Sequence, residues 1–117
     1  MLKTQVLQII EIPASEQPRL MSLDLAVWIS SKNNSINQAT LYINLLVEDK
    51  KIRIKADKTT LSNIKVSLLN NHFELSDYRK ISAISLELES TNEDIKIDSI
   101  HMQTELRKGR AMKKVAA

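Results

Sequence analysis

The sequence predicts an all-β protein, a single-domain antiparallel β-sandwich with about eight strands. With 117 residues, the chain is long enough to bury one core and too short for two. Apolar and polar residues alternate along most of its length, which is typical of strands with one buried face. Turn-forming residues interrupt this alternation roughly every ten residues, the spacing expected of a sandwich or barrel.

The alternating runs define the predicted strands in chain order. Residues 4–12 form a short, β-branched run that favours a strand over a helix. Later runs place apolar residues at every second position: residues 23–29, 41–47, 52–54, 64–68, 84–88 and 95–97. Ile97 and Ile100 are out of phase with each other, so burial of both requires a β-bulge near Asp98 and Ser99.

The breaks between the runs contain turn-forming residues. They read SKNNS, EDKK, ADKTT, LNNH and STNED. Because the chain has a single glycine, Gly109, Asn and Asp are expected to occupy any left-handed turn positions. We expect one tight hairpin at Asn70 and Asn71 and another at Asp49 and Lys50. At most one helical turn is expected, at residues 76–80.

The charge distribution divides the chain into two parts. Residues 1–106 carry 12 Lys and Arg against 14 Asp and Glu, a formal charge of −2. Residues 107–117, RKGRAMKKVAA, carry five basic residues and no acidic one. We therefore expect a β-sandwich body at residues 1–106 and a basic C-terminal tail at residues 107–117, which we call the basic segment.

Residues 73–102 read FELSDYRKISAISLELESTNEDIKIDSIHM. This stretch resembles the C-terminal half of galactose-binding-like jelly-roll modules, a group that includes many carbohydrate-binding modules. The resemblance lies in an alternating strand, a loop and a final strand of the form I-x-I-D-D-I, in which Ser99 replaces the second Asp. It implies a jelly-roll fold, which viral coat proteins also use, so the fold does not separate sugar binding from assembly.

The resemblance implies two kinds of site. Sugar-binding members present exposed aromatic rings, and Trp28 and Tyr42 lie opposite the leucines of their strands, where one sheet could present both. The alternative is that these rings fill a packed face or a subunit contact. Some members hold calcium through an Asp of the last strand, here Asp98, but no carboxylates cluster with it, so no metal is predicted.

Most catalytic chemistry is absent from the sequence. A single glycine excludes phosphate loops, the dinucleotide fingerprint and the nucleophile elbow. His72 and His101 belong to different strands without a ligand pattern, and are expected at the surface. Glu87 and Glu89 share a strand face, where solvation explains them more simply than paired-acid catalysis. We expect no enzyme and no cofactor.

The basic segment is the candidate contact region through Arg107, Lys108, Arg110, Lys113 and Lys114. A basic arm can bind nucleic acid by counterion release, or bind an acidic protein surface. Alternatively, it is a solvated extension. No aromatic residue lies among the charges, so stacking on single-stranded bases is not indicated.

The leading hypothesis is a non-enzymatic jelly-roll subunit of a larger particle, such as a phage or viral virion, contacting other protein subunits. The alternative is a carbohydrate-binding accessory module, and a third possibility is a nucleic-acid-binding accessory protein. No cleavage site follows the short N-terminal apolar stretch, and no run is long enough to cross a bilayer. We therefore expect cytoplasmic synthesis without a signal peptide, no membrane partner, and the virion as the destination under the leading hypothesis.

Overall fold

The computed structural model describes residues 2–12, 19–32, 36–61, 66–76, 80–91 and 95–108. These residues form two antiparallel sheets, of four and three strands, packed as a sandwich. In chain order the strands are β1 (Lys3–Glu11), β2 (Arg19–Ser31), β3 (Asn37–Val47), β4 (Lys50–Leu61), β5 (Ser67–Ser76), β6 (Ile81–Ser90) and β7 (Ile95–Lys108). The predicted antiparallel β-sandwich is confirmed, with seven strands.

The strand pairs are nested about one hairpin. β3 and β4 form that hairpin, β2 pairs with β5 outside it, and β1 pairs with β6 outside both. Successive pairs lie in alternate sheets, which gives the orders β1-β6-β3-β4 and β5-β2-β7. This alternation is the jelly-roll arrangement, and it leaves β1, β4, β5 and β7 as sheet edges.

The core lies between the two sheets and is formed by the alternating aliphatic residues. Residues at every second position of β2, β3 and β6 are almost fully buried: Leu23, Leu25, Val27, Ile29, Leu41, Ile43, Leu45, Ile84, Leu86 and Leu88. Since side chains alternate between the two faces of a strand, the intervening residues occupy the outer faces of the sandwich. The predicted period-two assignment therefore identifies the core strands correctly.

The hairpin between β3 and β4 is a two-residue turn. Val47 pairs with Lys50, and the intervening Glu48 and Asp49 have φ angles of 49° and 68°. Positive φ at both central residues is the signature of a type I′ turn, whose twist matches that of the flanking strands. The predicted hairpin is present, but its turn lies one residue earlier than expected.

The predicted hairpin at Asn70 and Asn71 is wrong, because β5 continues through both residues. The Asn70 backbone N–H donates to Asp57 Oδ2 at 3.0 Å, and Asn71 Nδ2 donates to the Ala56 carbonyl at 2.7 Å. These bonds join the edges of β4 and β5, and hence the two sheets. The predicted break ADKTT likewise lies inside β4, and the described residues form seven strands, close to the eight or so expected.

The β-bulge predicted near Asp98 and Ser99 is present. Trp28 pairs with Ser99 and the next residue, Ile29, pairs with Ile97, so Asp98 is the extra residue of β7. The bulge places Ile97 and Ile100 opposite the buried Ile29 and Val27, and hence on the core-facing side. Ile100 nevertheless remains 37% exposed because β7 is an edge strand.

Two predicted features, the helical turn at residues 76–80 and the basic segment, lie partly outside the described residues. Ser76 of the expected helical turn belongs to β5, while residues 77–79 lie outside the described residues. β7 extends to Lys108, so the first two residues of the basic segment continue the strand. In the described part of the chain, no helix is long and apolar enough to span a bilayer.

Leu86→Ala should lower the free energy of unfolding by about 2–5 kcal/mol, since Leu86 is fully buried between the sheets. Urea titration followed by circular dichroism measures this loss. Ile36→Ala is the matched control, because Ile36 is 71% exposed and should change stability by less than about 0.5 kcal/mol. Equal losses for the two variants would contradict the assignment of the core.

Candidate functional site

The outer faces and the edges of the sandwich are the surfaces open to a ligand or partner. The inner faces are filled mainly with aliphatic side chains, and this packing leaves most polar residues of each strand on the outside, although a few such as Ser31 and Asn37 are buried. The four-stranded and three-stranded sheets carry different chemistry on their outer faces. The candidate functional residues are therefore described face by face.

The outer face of the four-stranded sheet is organised by Arg53. Its guanidinium lies 3.6 Å from the centroid of the Tyr42 ring, within the range of a cation–π interaction. Arg53 Nη2 donates to Glu87 Oε1 at 2.9 Å and to Glu89 Oε2 at 3.4 Å. Arg53 thus links β4, β3 and β6, and covers one face of the Tyr42 ring.

The outer face of the three-stranded sheet combines an aromatic ring with polar side chains. Trp28 is 42% exposed and pairs with Leu68 of β5, which is 36% exposed. Ala26, two residues earlier on β2, pairs with Asn70 on one side and His101 on the other. Because Ala26 has a small side chain, the surface is depressed between these two polar neighbours.

His72 bridges two carboxylates on this same face. Its Nδ1 lies 2.6 Å from Asp24 Oδ1 across the β2–β5 pair, and its Nε2 lies 2.7 Å from Glu74 Oε1. Ser22 Oγ donates to the other oxygen of Glu74 at 2.9 Å. The hydrogen bonds to Asp24 and then to Glu74 raise the pKa of His72 above its ordinary value of 6.5, because both favour the imidazolium.

The two aromatic residues singled out from the sequence do not share a sheet. Trp28 lies on β2 in the three-stranded sheet, whereas Tyr42 lies on β3 in the four-stranded sheet. Their outer faces point away from each other because the sheets pack through their inner faces. The expectation that one sheet could present both rings is therefore wrong.

The basic residues are only partly within the description. The backbones of Arg107 and Lys108 pair with Leu20 and Arg19 at the end of β7. Arg110, Lys113 and Lys114 lie outside the described residues. Their role as a contact region remains a prediction.

Asp98 forms protein contacts at the bulge of β7. Its Oδ2 accepts a hydrogen bond from Ser30 Oγ at 3.0 Å, and its Oδ1 lies 3.7 Å from Lys96 Nζ. Within the described ranges, no three His, Cys, Asp or Glu side chains are arranged to hold a metal ion. Asp98 is thus engaged by neighbours on β2 and β7.

The sequence did not predict two interactions on these faces: the contacts of His72 with Asp24 and Glu74, and the pairing of Arg53 with Glu87. The spacing of His72 and Glu74 places both on one side of a strand, which is a usable signal. Their partner Asp24 is distant in sequence, and its register opposite His72 depends on the β2–β5 pairing. Similarly, only the order of strands in the sheet places Arg53 beside Glu87.

His72 should stabilise the fold most at mildly acidic pH. Because its folded-state pKa is raised, its contribution is fully present below about pH 6.5 and is lost as pH rises through the folded-state value. The difference in urea midpoint between wild type and His72→Gln, measured across this range, should therefore shrink with increasing pH. His101→Gln is the matched control on β7, and a difference for His72→Gln that grows with pH would contradict the bridge.

Arg53→Ala should lower the free energy of unfolding by about 1 kcal/mol, because Arg53 is partly exposed while its partner Glu87 keeps only 11% side-chain exposure. Glu87→Gln combined with Arg53→Ala should recover part of that loss, since the carboxylate charge is then absent. Chemical denaturation of the four proteins in this double-mutant cycle measures the coupling. Strictly additive losses would show that Arg53 and Glu87 do not interact.

Comparison with solved structures shows a related fold. The chain matches the VP2 subviral particle of infectious bursal disease virus with a TM-score of 0.57 and 15% identity, over 90% of this chain and 26% of that chain. The Gt strain structure of the same virus gives a TM-score of 0.57 and 12% identity, over 94% of this chain and 31% of that chain. The Gx strain structure gives a TM-score of 0.55 and 15% identity, over 90% of this chain and 27% of that chain.

This chain therefore spans about a quarter to a third of the length of the viral chains that it matches. At such low identity the likeness establishes the fold and not the activity. No protein-family model matches the sequence, and no curated protein matches it. The jelly-roll architecture implied by the resemblance is thus supported, whereas a carbohydrate-binding module is not.

Proposed function

We propose that this protein is a non-enzymatic structural subunit that assembles with other protein subunits into a larger particle, such as a capsid, vertex or tail component of a phage or viral virion. The observation that carries the proposal is the fold. Nearly the whole chain superposes on part of proteins whose structures are those of infectious bursal disease virus and its VP2 subviral particle.

The edge strand β1 supports a role in subunit contact. Val6 and Ile9 are 55% and 63% exposed, and they pair with Glu87 and Ser85 on the outer face of the four-stranded sheet. Exposed apolar residues on an unpaired edge favour association with another chain. β1 has one basic residue, Lys3, at its start, so the middle of this edge has no positive charge.

The opposite edge of the same sheet has the contrary character. β4 carries five basic residues along its length: Lys50, Lys51, Arg53, Lys55 and Lys58. Lysines on an edge strand discourage pairing with further strands. The contrast between the two edges directs association to β1, and gives the subunit a defined side for contact with its neighbour.

The basic segment is a second proposed contact. It begins at the end of β7, where Arg107 and Lys108 continue the strand pairing with β2. Basic residues that leave a folded body can bind an acidic neighbour or the phosphates of a genome. Under the present proposal its partner is a neighbouring subunit, and binding to nucleic acid is the alternative outcome.

Analytical ultracentrifugation and negative-stain electron microscopy of the purified chain test the proposal. We expect discrete assemblies whose proportion rises with protein concentration. Val6→Asp with Ile9→Asp should shift the population to monomers, because burial of a carboxylate in the contact is costly. Ile36→Asp is the control, since Ile36 is 71% exposed, more than Val6 or Ile9, but precedes β3.

A chain that stays monomeric at all attainable concentrations would overturn the proposal. If the β1 variant and the Ile36→Asp control lose assembly equally, the role of β1 is contradicted, but the proposal that the wild-type chain assembles still stands. Steeply salt-dependent binding to DNA without self-association would instead favour a nucleic-acid-binding accessory protein.

A further inference from the structure

The side chains of β1 are assigned to the two faces of the four-stranded sheet by their partners on β6. Residues directly opposite each other in an antiparallel pair lie on the same face of the sheet. The β1 residues whose partners lie on the outer face are Thr4, Val6, Ile9 and Glu11. The β1 residues whose partners are buried in the core, Leu88, Leu86 and Ile84, are Gln5, Gln8 and Ile10.

A β-bulge in the middle of β1 changes the phase of this alternation. Val6 pairs with Glu87 and Gln8 pairs with Leu86, so Leu7 is the extra residue of the bulge. Leu7 packs against the core, and it therefore faces inward like Gln8. From residue 4 to residue 11 the faces are out, in, out, in, in, out, in, out. This order reads the same in both directions along the strand.

A strand with such a symmetric order of faces is complementary to an antiparallel copy of itself. When Thr4 lies opposite Glu11 of a second copy and Val6 lies opposite Ile9, every position from residue 4 to residue 11 opposes a residue of the same face. A shift of one residue places outward residues opposite inward ones. A shift of two residues places Val6 opposite Leu7, or Ile9 opposite Gln8, which again mismatches the faces.

We propose that β1 pairs with β1 of a second copy, antiparallel and about a two-fold axis next to Leu7 and Gln8. The two four-stranded sheets then form one continuous sheet of eight strands. This inference rests on the proposed assembly function, and it identifies the partner and the register of the β1 edge. A two-fold contact closes after two copies, so the pair of copies is the unit from which the larger particle is built through its other surfaces.

The pairing covers apolar side chains that are exposed in the single chain. Val6 and Ile9 are 55% and 63% exposed, and β1 has no strand on its other side among the described residues. In the proposed register, Val6 of each copy lies opposite Ile9 of the other. Four β-branched side chains therefore meet around the two-fold axis on the outer face, and cross-strand pairs of this kind stabilise a sheet.

The bulge favours a second copy over a strand without a bulge. β6 has no extra residue at this level, and it leaves Leu7 without an opposing residue. Another regular strand on the free side of β1 would do the same. A second copy brings its own bulge to the same level, so Leu7 of each copy lies opposite Gln8 of the other and no position is left over.

Disulfide cross-linking measures the register, because the chain has no cysteine of its own. A disulfide requires Cβ atoms about 4 Å apart. Directly opposite residues approach this separation, whereas diagonal neighbours on the same face are about 7–8 Å apart. Four single-cysteine variants place a thiol on the outward side of β1: Thr4→Cys, Val6→Cys, Ile9→Cys and Glu11→Cys.

Mixtures of two variants, oxidised and separated on non-reducing gels, test the register. Val6→Cys with Ile9→Cys, and Thr4→Cys with Glu11→Cys, should give disulfide-linked dimers. Thr4→Cys with Ile9→Cys, and Val6→Cys with Glu11→Cys, are the matched controls and should stay monomeric on the gel, since the same thiols are then diagonal. Equal dimer yields in all four mixtures, or higher yields in the controls, would overturn the inference.

Sedimentation of the wild-type chain separates this inference from the proposed function. Large assemblies, combined with an absence of dimer in both in-register mixtures, would overturn the β1 pairing and leave the assembly function standing. Dimers in the in-register mixtures, from a chain that sediments as two copies and no larger, would support the pairing and contradict the larger particle. A chain that neither assembles nor cross-links would contradict both.

Discussion

Burial of aliphatic side chains between two sheets is the constraint on which the rest of this structure depends. Side chains of a strand alternate between its two faces. When residues such as Leu23, Ile43 and Leu86 fill the inner faces, the residues between them are therefore placed on the outer faces. A shift of one residue in any pairing would move the aliphatic set into solvent. The alternation therefore sets the register of the sheets and the composition of both outer faces.

Residues on the outer faces do not pack in the core. They form the side-chain interactions between strands and are the candidates for contact with a partner. Arg53 ties together three strands on one face, and His72 ties together two on the other. The His72 contacts are exposed and Arg53 is itself partly exposed, so each interaction contributes modestly to stability. Their larger consequence is to give the two outer faces different chemistry: Arg53 bonds to carboxylates beside Tyr42 on one face, and His72 bonds to two carboxylates on the other.

Local sequence patterns predicted features that depend on one strand and failed where a neighbouring strand decides. The phase change between Ile97 and Ile100 predicted the bulge at Asp98, since both residues must face the same core. Asn70 and Asn71 have strong turn propensity, yet they lie within β5, where Asp57 and the Ala56 carbonyl accept their hydrogen bonds. Tertiary partners thus replaced the local hydrogen bonds of a turn, and their positions are not encoded near residue 70.

The sequence by itself determined the β-sandwich class, the core strands and the separation of an acidic body from a basic segment, because these depend on periodicity and on charge summed along the chain. Only the tertiary structure decided which outer faces carry Trp28 and Tyr42, which cation covers the Tyr42 ring, and that Asp24 lies opposite His72. The physical reason is strand order. Residues far apart in sequence become neighbours through the nesting of strand pairs. Nesting is a property of the whole sandwich, and the sequence pattern of a single strand does not predict it.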